Sequence, residues 1–305
     1  MKFSYLVATA SLAAALSQPA AAREPLVLAP SSAWNMFYDA DSCALRRQFG
    51  EGEQLTYLEM RRFEPGTSIQ FIVSTNIKKV NRTFLFRFDE NEEWRTTGGF
   101  RLDMSDGSNG MIFTSTLFKV EIPEALLKDE EALTAYWKSL DNPALEDAAV
   151  KAADAVMLQG AFVRDLTLRT GSLEAPIKAM RECTDELITH WGVDAEAHKT
   201  LSRPVTAKNA GEMSTKIDYP RRLVRQGVPG IVRARLGVDP TGAVTGCHIQ
   251  MDLADAQFEK EVCETLSREL VLEPAMGKDG NLIASYWVKQ VTFRVGGSGR
   301  GRAPF

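Results

Sequence analysis

The sequence predicts an α+β protein in two parts: an N-terminal domain of mainly antiparallel sheet with helices, then a small α+β domain. Three observations predict it. Residues 56–118 hold stretches in which apolar and polar residues alternate, the period of a half-buried strand. Residues 124–191 shift to apolar residues three and four apart, the period of a helix buried on one side. Residues 217–295 then read strand, turn, strand, helix, strand, and a chain of 305 residues is long enough for two such units.

Composition narrows the class. With 44% hydrophobic and 25% charged residues, the chain reads as an ordinary globular protein. A net charge of -4 and a pI near 5.6 exclude the concentrated basic surface of a nucleic-acid binder. Residues 1–22 read as a secretory signal peptide: Lys2 opens it, residues 5–16 are apolar, and Ala20-Ala21-Ala22 offers a small-residue cleavage site before Arg23. The alternative is an uncleaved anchor, but the apolar run is shorter than the roughly 20 residues that span a bilayer. No later segment is long and apolar enough to span, so the expectation is a periplasmic chain with no membrane span after cleavage.

In the N-terminal domain, 56–60 and 68–73 are strands around the turn Glu64-Pro65-Gly66-Thr67. Phe84, Phe86 and Phe88 form one alternating face, and 111–118 is another strand; together they suggest one antiparallel sheet with one buried face. The acidic stretch 103–110 resembles a calcium loop but fails two tests. Its sixth position is Ser108 where an EF-hand needs glycine, and its twelfth is Thr114 where a glutamate is needed. It reads instead as a polar hairpin loop.

Residues 124–140 form a helix. Asn142-Pro143 caps the next, whose inner stripe is Leu145, Ala149, Ala152 and Val156. Residues 162–170 return as a strand. Ser172 caps a helix to Trp191 with Leu173, Ile177, Met180, Thr184, Leu187 and Trp191 on one stripe, stopped by Gly192. Cys183 lies on that stripe, so a disulfide to Cys43 in the sheet is expected; two separate buried thiols are the alternative. Residues 193–211 are loosely patterned, and the boundary is placed there: 23–200 and 201–297.

In the second domain Pro220 opens a short helix over 221–226, ended by Gly227. A strand follows with Val232, Ala234, Leu236 and Val238 on one face and Arg233 and Arg235 on the other. Asp239-Pro240-Thr241-Gly242 turns the chain into a strand with Thr245, Cys247, Ile249 and Met251 on one face. A helix beginning near Asp252 or Asp255 repeats Phe258, Val262, Leu266 and Leu270. Cys247 and Cys263 then meet at the helix–sheet contact and are expected to bond. After a turn over 277–281, residues 282–295 form one long strand, with Trp287, Lys289, Val291, Phe293 and Val295 on one side and Tyr286 and Val288 on the other. At about 3.3 Å per residue it would reach about 45 Å, outrun its neighbours and expose backbone groups to a guest strand; fraying at its ends is the alternative. Residues 296–305 read as a disordered tail, 298–305 beyond the domain.

The ordered set Asp218-Tyr219-Pro220, Gly230-Ile231-Val232, 238–244, Glu273-Pro274-Ala275 and Val291-Thr292-Phe293 resembles the C-terminal domain of the TonB family of energy transducers. The resemblance covers about 205–297. It implies a small antiparallel sheet with helices on one face that grips a peptide of an outer-membrane receptor by strand addition. The implied gripping strand carries Tyr286, Trp287, Val288, Lys289, Val291 and Phe293. Energy-transducing members also carry an uncleaved membrane helix and a proline-rich spacer. Here the 13 prolines are scattered, so coupling to an inner-membrane motor is not expected. Met251-Asp252-Leu253 also departs from the small-residue turn of many members.

No catalytic, cofactor or metal site is expected. His190, His198 and His248 each lack a partner ligand at metal spacing, and no nucleophile elbow, phosphate loop or dinucleotide fingerprint occurs. The expected role is a non-enzymatic interaction module of the cell envelope, partnered by an envelope or outer-membrane protein. A self-associating structural protein is the alternative, and a hydrolase without recognisable motifs a third.

Overall fold

The computed structural model describes residues 24–294 apart from 79, 80, 105, 129, 252 and 253. The expected signal peptide, the C-terminal tail, Val295 and the Asp252-Leu253 pair lie outside the described residues. The chain is α+β, with both helices and several sheets.

Two sheets, not one, build the N-terminal part. The strands are β1 (Leu26–Leu28), β2 (Asn35–Tyr38), β3 (Cys43–Phe49), β4 (Thr56–Arg62), β5 (Ile69–Thr75), β6 (Thr83–Arg87), β7 (Arg95–Gly98), β8 (Phe100–Asp103) and β9 (Asn109–Ser115). The stretch 103–110, expected as a polar hairpin loop, runs from Asp103 at the end of β8 to Asn109 and Gly110 at the start of β9, two strands that pair with each other. A six-stranded antiparallel sheet has the order β2-β3-β4-β5-β9-β8. Strands β6 and β7 leave it and join a second sheet, in which β1 pairs parallel with a later strand. The phenylalanines explain the split. Phe84, Phe86 and Phe88 all point inward, and Phe84 and Phe86 pack against Phe113 of β9 at centroid distances of 5.3 and 5.2 Å. Two apolar faces bury each other more completely than one edge-extended sheet would.

The helical stretch holds α1 (Glu130–Ser139) and α2 (Pro143–Ala152), with Asn142 Oδ1 accepting the Ala144 amide at 3.0 Å. Then β10 (Ala155–Gln159) and β11 (Leu166–Arg169) complete the second sheet, in the order β1-β11-β10-β6-β7. Val156 thus belongs to a strand, and the inner residues of α2 are Glu146 and Val150, not Leu145, which is exposed. The stripe fails because Glu146 pairs with Arg62 and Arg181, which lets a carboxylate take an inward position.

Helix α3 (Glu174–His190) packs on β3 with Ile177, Met180, Cys183, Thr184 and Leu187 inward, and Cys183 is bonded to Cys43. The short α4 (Ala195–Lys199), β12 (Thr206–Ala207), α5 (Met213–Lys216) and α6 (Arg221–Gln226) lead into β13 (Gly230–Val238), β14 (Val244–Met251) and α7 (Ala256–Glu269). After β15 (Leu272–Glu273), the small hairpin β16 (Ala275–Met276) and β17 (Leu282–Ile283) precedes β18 (Ser285–Phe293). Helix α7 crosses one face of the sheet β14-β13-β18 and buries Phe258, Val262 and Leu266 on Val232, Ala234, Leu236, Val291 and Phe293. Gly230 is needed there, because a Cβ would come within 2.6 Å of the Phe258 ring. Cys247 is bonded to Cys263 across this contact.

Two expectations about these strands are corrected. β14 pairs with β13 through two bulges, beside Ala234 and beside Val238. Each bulge adds one residue and shifts the alternation by one. Val244, Cys247 and Ile249 therefore share the helix side, while Met251 turns to the other face beside Phe63 and Ile231. The long strand of 282–295 is interrupted at Ala284, and β18 is nine residues, paired along its whole length with the nine of β13. It does not outrun its neighbour.

Candidate functional site

Strand β18 is the end of its sheet: it pairs with β13 and, among the described residues, with no other strand. The edge that it leaves without a neighbouring strand is therefore lateral rather than an overhang. Each such edge carries N–H and C=O groups spaced to accept another strand.

The two sheet faces differ. The inner face is the core just described, so Val291 and Phe293 are each 1% exposed and offer a guest no side chain. Trp287 is half-buried on the same core, and Lys289 is half-buried too. The outer face is not in solvent, because the N-terminal domain is docked on it. Arg233 Nη2 donates to Glu64 Oε1 at 2.7 Å, and Arg235 Nη2 to Asp41 Oδ1 at 3.0 Å. Gln250 Nε2 donates to the backbone oxygens of Phe63 and Asp41 at 2.9 and 3.3 Å. Tyr286 is buried between Trp191 and His198, with its hydroxyl 3.3 Å from His198 Nε2. Burial, followed by the negative charges of Glu64 and Asp141, holds the Tyr286 phenol well above the usual tyrosine range. Val288 packs beside it at the edge of that cluster.

Docking leaves a cleft of about 1650 Å³ along the free edge, with residues 286–290 of β18 as one wall. The other wall comes from the N-terminal domain: residues 94–97 around β7, 114–116 at the end of β9, and 135–141 around the end of α1, apart from residues 136 and 138. Arg95 fixes that wall. Its guanidinium is stacked on Phe86 and Phe88, is ion-paired with Glu92, and donates to the carbonyls of Thr116, Leu117 and Phe118. Burial lowers its pKa, and the Glu92 carboxylate opposes that. β7 is likewise the last strand of its sheet among the described residues, so two terminal strands border one cleft.

Of the ten expected site residues, the structure brings residues 286–289 to the cleft and places Val291 and Phe293 in the core. The four cysteines form the two bonds Cys43–Cys183 and Cys247–Cys263 and lie away from the cleft. Trp94 and Trp137, both exposed on the opposite wall, were not singled out as site residues by sequence. The sequence feature that the docking uses is the Arg233/Arg235 pair on the face opposite Val232, Ala234, Leu236 and Val238. Among the described residues, no group of three or more His, Cys, Asp or Glu is placed to hold a metal ion. Among them, too, no helix is long and apolar enough to cross a membrane.

No curated protein matches this chain, and no solved structure does. The family model of the Gram-negative bacterial TonB protein C-terminal matches residues 215–295, from the end of α5 to just past β18. That span holds the three-stranded sheet, α7, and the Cys247–Cys263 bond, so the part of the chain that carries the open edge is a TonB C-terminal domain.

Proposed function

We propose that this is a periplasmic, non-enzymatic interaction protein of the cell envelope, which binds an extended segment of an envelope or outer-membrane protein along β18. The observation that carries the reading is the lateral edge of β18 within a TonB C-terminal domain, which pairs with no further strand among the described residues and borders a cleft of about 1650 Å³. Strand addition uses main-chain hydrogen bonds for affinity and neighbouring side chains for selection. A small-molecule site is a poorer fit, since such pockets usually measure roughly 300–1,000 Å³. The location of the edge at the side of a cleft, walled by a second domain, also weighs against pairing of two copies through β18. Each copy would have to insert its own walled edge into the other.

The test is site-specific photo-crosslinking in cells, with a benzophenone amino acid at Val288 and, as control, at the exposed Val224 on α6. The expected result is a product specific to position 288 that joins the chain to an envelope protein through one short segment. Products made only of two copies of this chain would reject the reading in favour of self-association. Turnover of a substrate by the purified chain, with no 288-specific product, would reject it in favour of an enzyme.

A further inference from the structure

We infer that the N-terminal domain selects the guest, and that the guest is an extended polypeptide segment without charged side chains, carrying aromatic or large apolar side chains at alternate positions. This rests on the strand-addition reading and specifies the ligand class for the same cleft.

The charges on the walls are already answered by the protein itself. Glu64 is engaged by Arg233, and Lys208 reaches Glu273 at 2.7 Å. Lys119 holds Glu93 and Glu121, each at 2.8 Å. Arg95 is tied to Glu92, Asp141 Oδ1 accepts the Thr67 amide at 3.2 Å, and Lys289 on the β18 side is engaged as well. A charged guest side chain entering this space would lose water and compete for groups that the protein already engages, which is a penalty on either sign.

What the walls otherwise offer is indole and hydroxyl surface, with the Arg87 guanidinium already lying over one face of Trp94, 4.4 Å from its ring centroid. Trp94 and Trp137 are 38% and 44% exposed, unusual for the largest side chain on a surface that faces a cleft rather than bulk water. Trp287 adds a third indole from the β18 side. Between them lie hydroxyls, with Thr96 and Thr114 exposed and Ser115 half-buried. A strand laid on β18 places successive side chains on opposite sides. One set can then pack on indole faces while the other meets hydroxyls or solvent. The second terminal strand, β7, borders the same space, which suits a guest that is itself a backbone.

The test uses the full mature chain and calorimetric titration with three capped eight-residue peptides. All alternate threonine with phenylalanine or valine; one is uncharged, one has two threonines replaced by glutamate, one by lysine. The uncharged peptide is expected to bind, and each charged one to bind more than about tenfold more weakly. Trp137→Ala is expected to weaken the uncharged peptide by about tenfold. Thr96→Glu, and independently Thr114→Glu, are expected to move preference to the lysine peptide. A proline scan of Val288 and Lys289 tests the underlying reading. Adjacent residues turn their amides to opposite sides, so one of the two prolines spares the pairing with β13 and removes an edge donor. If charged and uncharged peptides bind alike, or the Glu variants leave the ranking unchanged, while that proline abolishes binding, the selectivity inference falls and strand addition stands. If no peptide binds, or binding is indifferent to both prolines, both fall. Thermal unfolding of each variant confirms that it is folded.

Discussion

The Arg235 guanidinium lies 4.1 Å from the ring centroid of Trp191, while its Nη2 donates to Asp41 Oδ1 at 3.0 Å. Arg235 belongs to the TonB C-terminal domain, and Trp191 and Asp41 to the N-terminal one. Trp191 Nε1 in turn donates to the Ala40 carbonyl at 3.1 Å, so one indole ties the end of α3, the loop before β3 and the docked sheet together. This contact sets where the opposite wall of the cleft stands. Arg235→Ala removes a desolvated cation–π contact and leaves Asp41 without its partner. Stability is expected to fall by about 2 kcal/mol, read from urea unfolding. Arg235→Lys is expected to recover only part of it, because an ammonium cannot lie flat on the indole while donating sideways. Full recovery by lysine would mean that charge alone holds the domains.

Glu146 sits in the core between two arginines. It accepts from Arg62, and its Oε2 accepts from Arg181 Nη2 and Nε at 2.8 and 3.1 Å. Burial pushes the Arg62 guanidinium pKa down, and Glu146 opposes that. Arg62 Nε and Nη1 find no acceptor, so the site tolerates no further loss. Glu146→Gln is expected to destabilise the N-terminal domain by about 3–5 kcal/mol. The double variant Arg62→Met with Glu146→Leu is expected to regain most of it, because neither charge is then buried alone. Comparing unfolding midpoints of the two variants decides it.

Local chemistry was legible in the sequence. Gly192 and Gly227 stop their helices with φ of 79° and 67°, and Asp239 Oδ1 accepts the Thr241 and Ala243 amides in the hairpin turn. Both cystines follow from the helix faces that Cys183 and Cys263 occupy, each turned toward the sheet that carries its partner. What was not legible depends on groups far apart in sequence. Glu146 was not given an inward position because Arg62 lies 84 residues away. Val156 was given to a helix because a short apolar run suits helix and strand alike. Met251 was given the wrong face because a bulge leaves no signature in alternation. The cleft itself arises from docking through pairs such as Arg235 and Asp41, 194 residues apart, so no local pattern announces Trp94 and Trp137 as its wall.

The two disulfides close loops of very different length, 140 residues for Cys43–Cys183 and 16 for Cys247–Cys263. From loop-closure entropy alone, their removal is expected to cost about 5 and about 3 kcal/mol respectively. The longer one also anchors α3, whose end carries Trp191. Cys43→Ala with Cys183→Ala is therefore expected to lower the urea midpoint more, and to weaken guest binding, while Cys247→Ala with Cys263→Ala lowers stability of the small domain alone. An equal effect of both pairs on binding would contradict the role given to α3 in placing the wall.

Tyr286 gives a pH signature of the docked state. Burial raises its folded-state pKa well above the value near 10 of an exposed phenol, and the charges of Glu64 and Asp141 add to this. The folded protein then holds this proton more tightly than the unfolded chain. The sign follows: the contribution is fully present below about pH 10 and is lost as pH rises from there through the folded pKa. Titrating absorbance near 295 nm is expected to show one phenol that ionises only with unfolding. In Tyr286→Phe that late step is expected to vanish, along with part of the alkaline fall in stability. Burial also raises the Tyr219 phenol, so a late step left undiminished by the substitution would assign it to Tyr219 and mean that the cluster of Tyr286, Trp191 and His198 opens to solvent before the domain unfolds.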